Sequence, residues 1–189
     1  MPQAKTLKDS ELRKVLNVCQ ISRNSQRNRI MLLISFWSGM RVGEIASLKI
    51  NDVLNLDNSV KNEIWLRAEQ TKGKFGRKVM IGEKLRKEID VYIHTLKHTE
   101  RHRPLIYSQR HKEGFTSNNL GQEFIKLFRL AGIDGATSHS GRRTFITNLA
   151  NKGIGVRILQ TLAGHRSIAT TQLYIDVNDE MLRSAVDLI

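Results

Sequence analysis

Cysteine and long apolar runs are both scarce in this sequence. Its 189 residues include one cysteine, Cys19, so no internal disulfide can form and nothing indicates a secreted, disulfide-bonded scaffold. The N-terminal residues lack the apolar segment of a signal peptide. The longest apolar stretch, residues 30–37, is far shorter than the roughly 20 residues of a membrane-spanning helix. We therefore expect a soluble protein of a reducing compartment, the cytoplasm.

Proline and acidic residues are also few. With two prolines and no repeat, low-complexity tract or Pro/Gly-rich linker, the chain contains little that would interrupt helices or separate domains. Lys and Arg total 31 against 18 Asp and Glu, a formal net charge of +13. Such an excess is typical of proteins that neutralise the phosphates of nucleic acid. Composition alone also fits a membrane-surface protein, a ribosome-associated protein or a surface that is merely basic.

The chain also lacks the signatures of nucleotide and metal chemistry. It has no phosphate-binding glycine loop of the P-loop kind and no paired-carboxylate site, so neither ATP nor magnesium is expected. His94, His98 and His102 recur every four residues, which on one continuous helix would give the first pair zinc-compatible spacing. Residues 99–104 are instead typical of a helix end, and Lys97 with nearby arginines adds repulsive charge. We therefore predict no metal site.

Hydrophobic patterning predicts a mainly α-helical domain with one small antiparallel β-sheet, an α+β fold. Thr6, with Asp9 three residues on, is typical of a helix start. Residues 28–39 form a second helix that is apolar nearly all round, as expected at the centre of a domain. Two strand-like segments, 60–68 and 77–81, join through a turn with two glycines into a hairpin. Helices fill the rest of the chain.

Six residues form the most informative pattern of the sequence. In chain order they are Arg41, Lys72, His139, Arg142, His165 and Tyr174. Five cationic or proton-carrying side chains and one phenol suit attack on a phosphodiester by the tyrosine oxygen, with charge neutralised by side chains. Because the free pKa of tyrosine is about 10, nearby cations must stabilise the phenolate that forms during attack. The order, local contexts and spacing carry this interpretation together, and no single residue does.

The first two of these residues also have ordinary structural interpretations. Arg41 directly follows the buried helix, but a pairing with Glu44 at i,i+3 would explain it as well. Lys72 lies in the hairpin turn, and charge alone does not distinguish it from Lys74. A basic turn of this kind can also contact only backbone phosphates or stay solvated.

The remaining residues are open to the same two interpretations. His139 and Arg142 are three residues apart and share one face of a helix, whereas the adjacent Arg143 would point elsewhere. His139 at a helix N-terminus would add backbone dipoles to an anion site, although a His-x-x-Arg pair is usually structural. Tyr174 follows His165 by nine residues on a predicted short helix. A lone tyrosine is more often a residue at the edge of the core.

Four segments together resemble the catalytic domain of the tyrosine recombinases, the phage integrase family: SGMRVGEIASLKINDV, TKGKFGRKVMI, TSHSGRRTFIT and LAGHRSIATTQLYI. The resemblance covers nearly all of the chain and is highly specific in combination. It implies an enzyme that cleaves and rejoins duplex DNA at specific sites through a covalent 3′-phosphotyrosyl intermediate, with no metal, nucleotide or other cofactor. The alternatives are a type IB topoisomerase, which relaxes supercoils with the same residue types, and a DNA-binding module without catalysis.

The resemblance also implies a role for each residue. Tyr174 is the nucleophile, and Arg41 and Arg142 hold the non-bridging oxygens of the scissile phosphate. Lys72 protonates the leaving 5′-oxygen, which selects it over Lys74 as the catalytic lysine.

Histidines and further basic residues complete the implied site. His139 assists proton transfer, and His165 hydrogen-bonds a phosphate oxygen. Lys74, Arg77 and Arg143 are candidate DNA contacts.

Family members normally carry a separate N-terminal core-binding domain, whereas here the catalytic pattern begins almost at Met1. We expect a single catalytic domain over residues 1–189 with that domain absent, either as a minimal recombinase or as a fragment of a longer chain. The C-terminal helix, residues 178–189, is expected to dock on a neighbouring protomer, although docking in cis is the alternative. This implies a homotetramer on DNA, a monomer or weak oligomer without DNA, and a place at the nucleoid.

Overall fold

The computed structural model describes residues 4–73, 75–97, 100–108, 113–175 and 179–187. Within these ranges the helices are α1 (Asp9–Ile21), α2 (Ser25–Ser38), α3 (Val42–Ser47), α4 (Ile50–Val53), α5 (Glu83–Thr95), α6 (Ser117–Leu130), α7 (Ser140–Asn151), α8 (Val156–Ala163), α9 (Ile168–Gln172) and α10 (Asp179–Val186). Strands β1 (Glu63–Leu66) and β2 (Arg77–Met80) pair antiparallel, and a 3-10 helix (Ala68–Gln70) follows β1. This architecture confirms the predicted fold class.

Helix α2 lies at the centre of the core. Its buried side chains face several directions, and the helix packs against α1, α5 and α7, as the all-round apolar pattern predicted. Gly39 ends the helix in the left-handed conformation, with φ 65°. A Cβ at this position would lie 2.5 Å from Cδ1 of Phe145. Both the backbone and the close approach require glycine here, and they fix the point at which Arg41 leaves the core.

The hairpin turns one face to the core and the other to solvent. Ile64, Leu66 and Val79 are buried, and most of the side chains between them are exposed. Beyond Leu66 the chain turns into the 3-10 helix, where buried Gln70 donates from Nε2 to the Asp52 carboxylate at 3.1 Å. Both strands are therefore shorter than predicted. The turn between them carries the predicted catalytic lysine to the surface.

The beginning of the fold differs from the prediction in detail. Helix α1 begins at Asp9, and its N-cap is Lys8 and not Thr6. The backbone N–H of Lys8 donates to the Glu11 carboxylate at 2.9 Å. At the other end, α10 ends at Val186, and residues 178, 188 and 189 of the predicted C-terminal helix lie outside the described residues. In the described part of the chain, no helix has the length and apolar character needed to cross a membrane.

Candidate active site

Glu44 is the buried anion around which the basic residues are arranged. Its side chain is 1% exposed and accepts hydrogen bonds from two arginines. Arg41 Nη1 donates to Oε1 at 3.0 Å, so the i,i+3 pairing of Arg41 with Glu44 that the sequence suggested is present. Arg77 donates from Nη2 to Oε2 at 2.7 Å and from Nε to Oε1 at 3.1 Å, a bidentate geometry. The carboxylate therefore fixes the positions of both guanidinium groups.

The pKa of Glu44 is lowered from its ordinary value of 4.5. Burial alone would raise this pKa, but the hydrogen bond and charge of Arg77, together with those of Arg41, outweigh burial. The carboxylate is therefore ionised at pH 7. Because its pKa is lower in the folded chain, the ion cluster stabilises the fold above the unfolded pKa. That contribution is lost as the pH falls below 4.5 and through the folded pKa.

We expect Glu44→Gln to lower the free energy of unfolding at pH 7 by about 3 kcal/mol, because two arginines then lose their buried anion. The deficit relative to wild type should shrink as the pH falls below 4.5 and Glu44 becomes protonated. Urea denaturation over a pH series measures both. Glu63→Gln is the matched control, since the Glu63 side chain is 48% exposed and pairs with Lys78 at the surface. It should cost less than about 1 kcal/mol, and equal losses would show that Glu44 is not the structural anion.

The C-terminal end of α8 joins the arginines of the site. Three successive carbonyl oxygens each accept one guanidinium: Leu162 from Arg77 at 3.1 Å, Ala163 from Arg142 at 2.6 Å and Gly164 from Arg41 at 3.2 Å. A helix C-terminus carries partial negative charge, which offsets part of the repulsion among the cations. Gly164 has φ 63°, and a Cβ there would lie 2.5 Å from Cδ of Arg77. Glycine at this position therefore permits the approach of the arginine.

Arg142 is the most buried cation of the site. It is 4% exposed, and its Nη1 also donates to the Gly39 carbonyl oxygen at 2.7 Å. The guanidinium thus connects the ends of α2 and α8. Burial, and next the nearby charge of Arg41, lower its pKa to about 9, so the group remains cationic at pH 7. Two arginines held close together against their mutual repulsion form a site that would favour an anion.

His139 stands at the N-cap of α7, the helix start that the sequence predicted. Burial lowers its pKa from 6.5, and the charges of Arg142, Lys72 and Arg41 lower it further. The imidazole is therefore mainly neutral at pH 7 and can accept a proton. Because Lys72 acts on this ring, the hairpin turn lies within electrostatic range of α7.

His165 follows Gly164 and is 8% exposed. Its Nδ1 lies 2.9 Å from the hydroxyl of Thr171 on α9. Burial, and next the charges of Arg142 and Arg41, lower its pKa from 6.5 to about 4. This imidazole is neutral at pH 7, and the contact with Thr171 fixes the orientation of its ring.

Tyr174 brings a phenol to the same group. Its ring stacks on His165, with the ring centroids 5.6 Å apart and the planes inclined by 19°. The charge of Arg142 lies within electrostatic range of the phenol. The backbone carbonyl of Tyr174 also accepts a hydrogen bond from Thr147 on α7 at 3.4 Å. Residues distant in sequence thus bring the predicted nucleophile to the buried cation.

A cleft of about 450 Å³ opens beside these groups, between the hairpin turn and the segment after α8. Its walls include Arg41, Lys72 and His165. A larger cavity of about 880 Å³, between the start of α2 and α6, contains none of the six predicted residues. We assign the site to the smaller cleft, because the cations and the imidazole converge there.

The three candidate DNA contacts have different surroundings. Arg77 is 11% exposed in its side chain and donates to Glu44 and to the Leu162 carbonyl oxygen of α8, so its guanidinium is held within the protein. Its role as a DNA contact stays a prediction. The helix-face argument predicted that Arg143 would point away from the site. Its Cζ instead lies 5.3 Å from the centre of the Tyr174 ring. Lys74 lies outside the described residues.

The three histidines with four-residue spacing do not share one helix. His94 is in the last turn of α5, which ends at Thr95, and His102 lies in a later turn. His98 lies outside the described residues. The helix end expected near this point is confirmed, slightly earlier than predicted.

Sequence reasoning missed three residues that shape the site. Glu44 was considered only as a partner of Arg41, and its pairing with Arg77 joins positions 33 residues apart. Thr171 was not considered as a site residue, although its hydroxyl lies 2.9 Å from Nδ1 of His165. Arg166 was not considered, and its place directly after His165 was the available signal.

The fold and site together define a class of protein: a basic, mainly helical domain that gathers guanidinium groups, neutral imidazoles and a phenol beside one cleft. The sequence matches the Phage integrase family over residues 5–181. The chain therefore belongs to the phage integrase family, as its motifs predicted.

Its relatives include tyrosine recombinases. XerA of Pyrococcus horikoshii is 29% identical over 183 residues, which cover 97% of this chain and 60% of that protein. The crystal structure of XerA recombinase has a TM-score of 0.75 at 27% identity, over 100% of this chain and 63% of that chain. XerH recombinase bound to its difH substrate, in a pre-cleavage complex, has a TM-score of 0.66 at 25% identity, over 96% and 53% of the two chains. This chain spans about 60% of the length of the curated relatives it matches.

Proposed function

We propose that this chain is the catalytic domain of a site-specific tyrosine recombinase, which cleaves and rejoins duplex DNA through a 3′-phosphotyrosyl intermediate. The observation that carries the proposal is the position of Tyr174. Its ring is stacked on a neutral His165 and lies within electrostatic range of the buried Arg142. A phenol so placed can lose its proton and attack an anion held by the neighbouring guanidinium groups.

In the proposed reaction, Arg41 and Arg142 bind the non-bridging oxygens of the scissile phosphate, where negative charge increases in the transition state. The Tyr174 oxygen forms a bond to phosphorus, and its proton passes to His139, which is mainly neutral and can accept it. The bond between phosphorus and the 5′-oxygen breaks, and Lys72 gives a proton to that oxygen. His165 hydrogen-bonds a phosphate oxygen through its remaining nitrogen.

The proposed intermediate retains the energy of the phosphodiester bond. A 5′-hydroxyl attacks the phosphotyrosine and gives its proton to Lys72, which restores the DNA backbone. The bond between phosphorus and the Tyr174 oxygen breaks, and His139 returns its proton to that oxygen. The same residues thus serve cleavage and ligation, and all charge neutralisation and proton transfer in this scheme come from side chains. No cofactor is part of the proposal.

DNA is the proposed partner. The formal net charge of +13 supports it, as does the likeness to XerH, which is bound to difH. We further propose that the chain forms one catalytic domain and assembles as a homotetramer on DNA through α10. On this helix Leu182 and Val186 are 55% and 70% exposed, so they are available to a neighbouring protomer. Without DNA a monomer or weak oligomer is expected, in the cytoplasm at the nucleoid.

The experiment that tests this function uses a nicked suicide substrate, from which the short strand downstream of cleavage diffuses away. Wild-type chain is expected to accumulate a covalent protein–DNA adduct linked at the 3′-phosphate. Strand exchange between two sites, without relaxation of supercoiled plasmid by monomer, would identify a recombinase. Efficient relaxation without paired sites would instead identify a topoisomerase, and DNA binding without adduct would contradict both.

A further inference from the structure

Arg166, the residue after His165, reaches across the cleft to the loop that carries Lys72. Its Nη2 donates a hydrogen bond to the Gly73 carbonyl oxygen at 2.8 Å. Its Cζ lies 4.0 Å from the centre of the Phe75 ring, within cation–π distance. One side chain therefore holds the loop at two points, Gly73 and Phe75, which lie one and three residues after Lys72.

The backbone of Arg166 is itself fixed to α8. Gln160 donates from Nε2 to the carbonyl oxygens of His165 at 3.1 Å and Arg166 at 3.3 Å. In return, the N–H of His165 donates to the Gln160 carbonyl oxygen at 3.0 Å. The contact of Arg166 with the loop therefore starts from a well-anchored segment.

Among the described residues of the loop, the internal side-chain hydrogen bonds come from the Thr71 hydroxyl. The Thr71 hydroxyl accepts a hydrogen bond from the Phe75 N–H at 3.2 Å, which closes the loop at its base. Phe75 is 66% exposed and Lys72 is exposed as well, so burial does not fix these two side chains. A lysine has a flexible four-carbon stem, and the position of its ammonium group depends on the backbone that carries it.

We propose that Arg166 is a positioning residue for the catalytic lysine: it holds the Lys72 loop against the His165 side of the cleft, so that the ammonium group reaches the leaving oxygen. The inference rests on the proposed function. In that step the Tyr174 oxygen bonds to phosphorus, the electron pair of the broken bond passes to the 5′-oxygen, and Lys72 supplies the proton. Arg166 touches none of these atoms and acts only through the loop.

The test compares ordinary DNA with DNA whose scissile 5′-oxygen is replaced by sulfur. A thiolate leaves without a proton, so a defect in leaving-group protonation disappears on the sulfur substrate. A defect in phosphate binding or in nucleophilic attack persists on both substrates. Arg166→Ala is expected to slow cleavage of ordinary DNA about 10- to 100-fold and to cleave the sulfur substrate at the wild-type rate. Lys72→Ala is the reference and should lose about 10²- to 10⁴-fold on ordinary DNA only.

Two further variants act as controls. Arg166→Lys keeps the charge but loses the planar group that stacks on Phe75, so its defect should be intermediate. Arg157→Ala removes an exposed arginine of α8 and should leave the ratio of the two rates unchanged. Equal slowing of both substrates by Arg166→Ala, while Lys72→Ala is rescued by sulfur, overturns the inference. If Lys72→Ala is slow on both substrates, the proposed role of Lys72 fails.

Amide hydrogen exchange gives a readout that does not require cleavage. In Arg166→Ala, exchange over residues 71–76 should rise while exchange in β1 and β2 stays unchanged. Unaltered exchange in this loop would overturn the positioning role, whatever the result with Lys72.

Discussion

Tyr174→Phe is expected to abolish covalent capture of DNA and to leave DNA binding nearly intact. Loss of the attacking oxygen should lower the cleavage rate by a factor on the order of 10⁴ or more, as in other enzymes that lose their nucleophile. The contacts of the ring with His165, 5.6 Å between centroids, and with Arg143, 5.3 Å from Cζ to the ring centre, depend on its faces. Phenylalanine retains those faces, so the fold and the cation arrangement should persist.

A denaturing gel of the nicked-substrate reaction measures adduct, and a mobility-shift titration measures binding. The matched control is Tyr107→Phe, which removes a phenolic oxygen from a tyrosine beside the cavity between α2 and α5. This variant should form adduct at the wild-type rate. Undiminished adduct in Tyr174→Phe would show that another residue attacks the phosphate. A simultaneous loss of binding would show that the substitution damages more than the nucleophile.

The second large effect is expected at Arg142. Arg142→Ala removes one of the two cations of the anion site, and we expect a loss in cleavage rate of about 10³-fold. Arg143→Ala should lose much less, about tenfold, because this arginine contacts the ring of Tyr174 and not the buried anion site. The two residues are adjacent and carry the same charge, so their comparison separates local geometry from general basicity.

Stability must be measured beside activity for this pair. Arg142 is 4% exposed and donates to the carbonyl oxygens of Gly39 and Ala163, which would lose their partner in Arg142→Ala. Thermal unfolding should therefore show a loss of about 2–4 kcal/mol for Arg142→Ala and little for Arg143→Ala. Arg142→Lys preserves the charge and serves as the folded comparison. Equal rate losses at the two positions, with both proteins folded, would contradict the role assigned to Arg142.

Local sequence was sufficient for the elements that carry the site. Neighbouring residues alone were enough to predict the apolar helix α2, the glycine that ends it and the position of the arginine that follows. The hairpin was recognised from two strand-like segments and a glycine-containing turn. The structure brings together the six predicted site residues, which are Arg41, Lys72, His139, Arg142, His165 and Tyr174.

Local sequence patterns did not predict the pairings between residues that are distant in the chain. The local sequence does not indicate that Arg77 pairs with Glu44, because an arginine in a basic hairpin suits a DNA contact as well. Arg143 was expected to point away, but a short helix brought Tyr174 back across that face of α7. The predicted start at Thr6 failed for a related reason: its hydroxyl accepts a hydrogen bond from Arg143 Nε at 3.2 Å, far along the chain.

Three guanidinium groups bind carbonyl oxygens at the end of α8. These contacts constrain the number of residues in α8 more strongly than the identity of its side chains. A helix turns by about 100° per residue, so one inserted or deleted residue within α8 would rotate the oxygens of Leu162, Ala163 and Gly164 away together. Outward side chains such as Ile158, 57% exposed, can change freely by comparison. In related sequences, residue identities along this helix should therefore vary, whereas the number of residues before the Gly-His pair should hardly ever change.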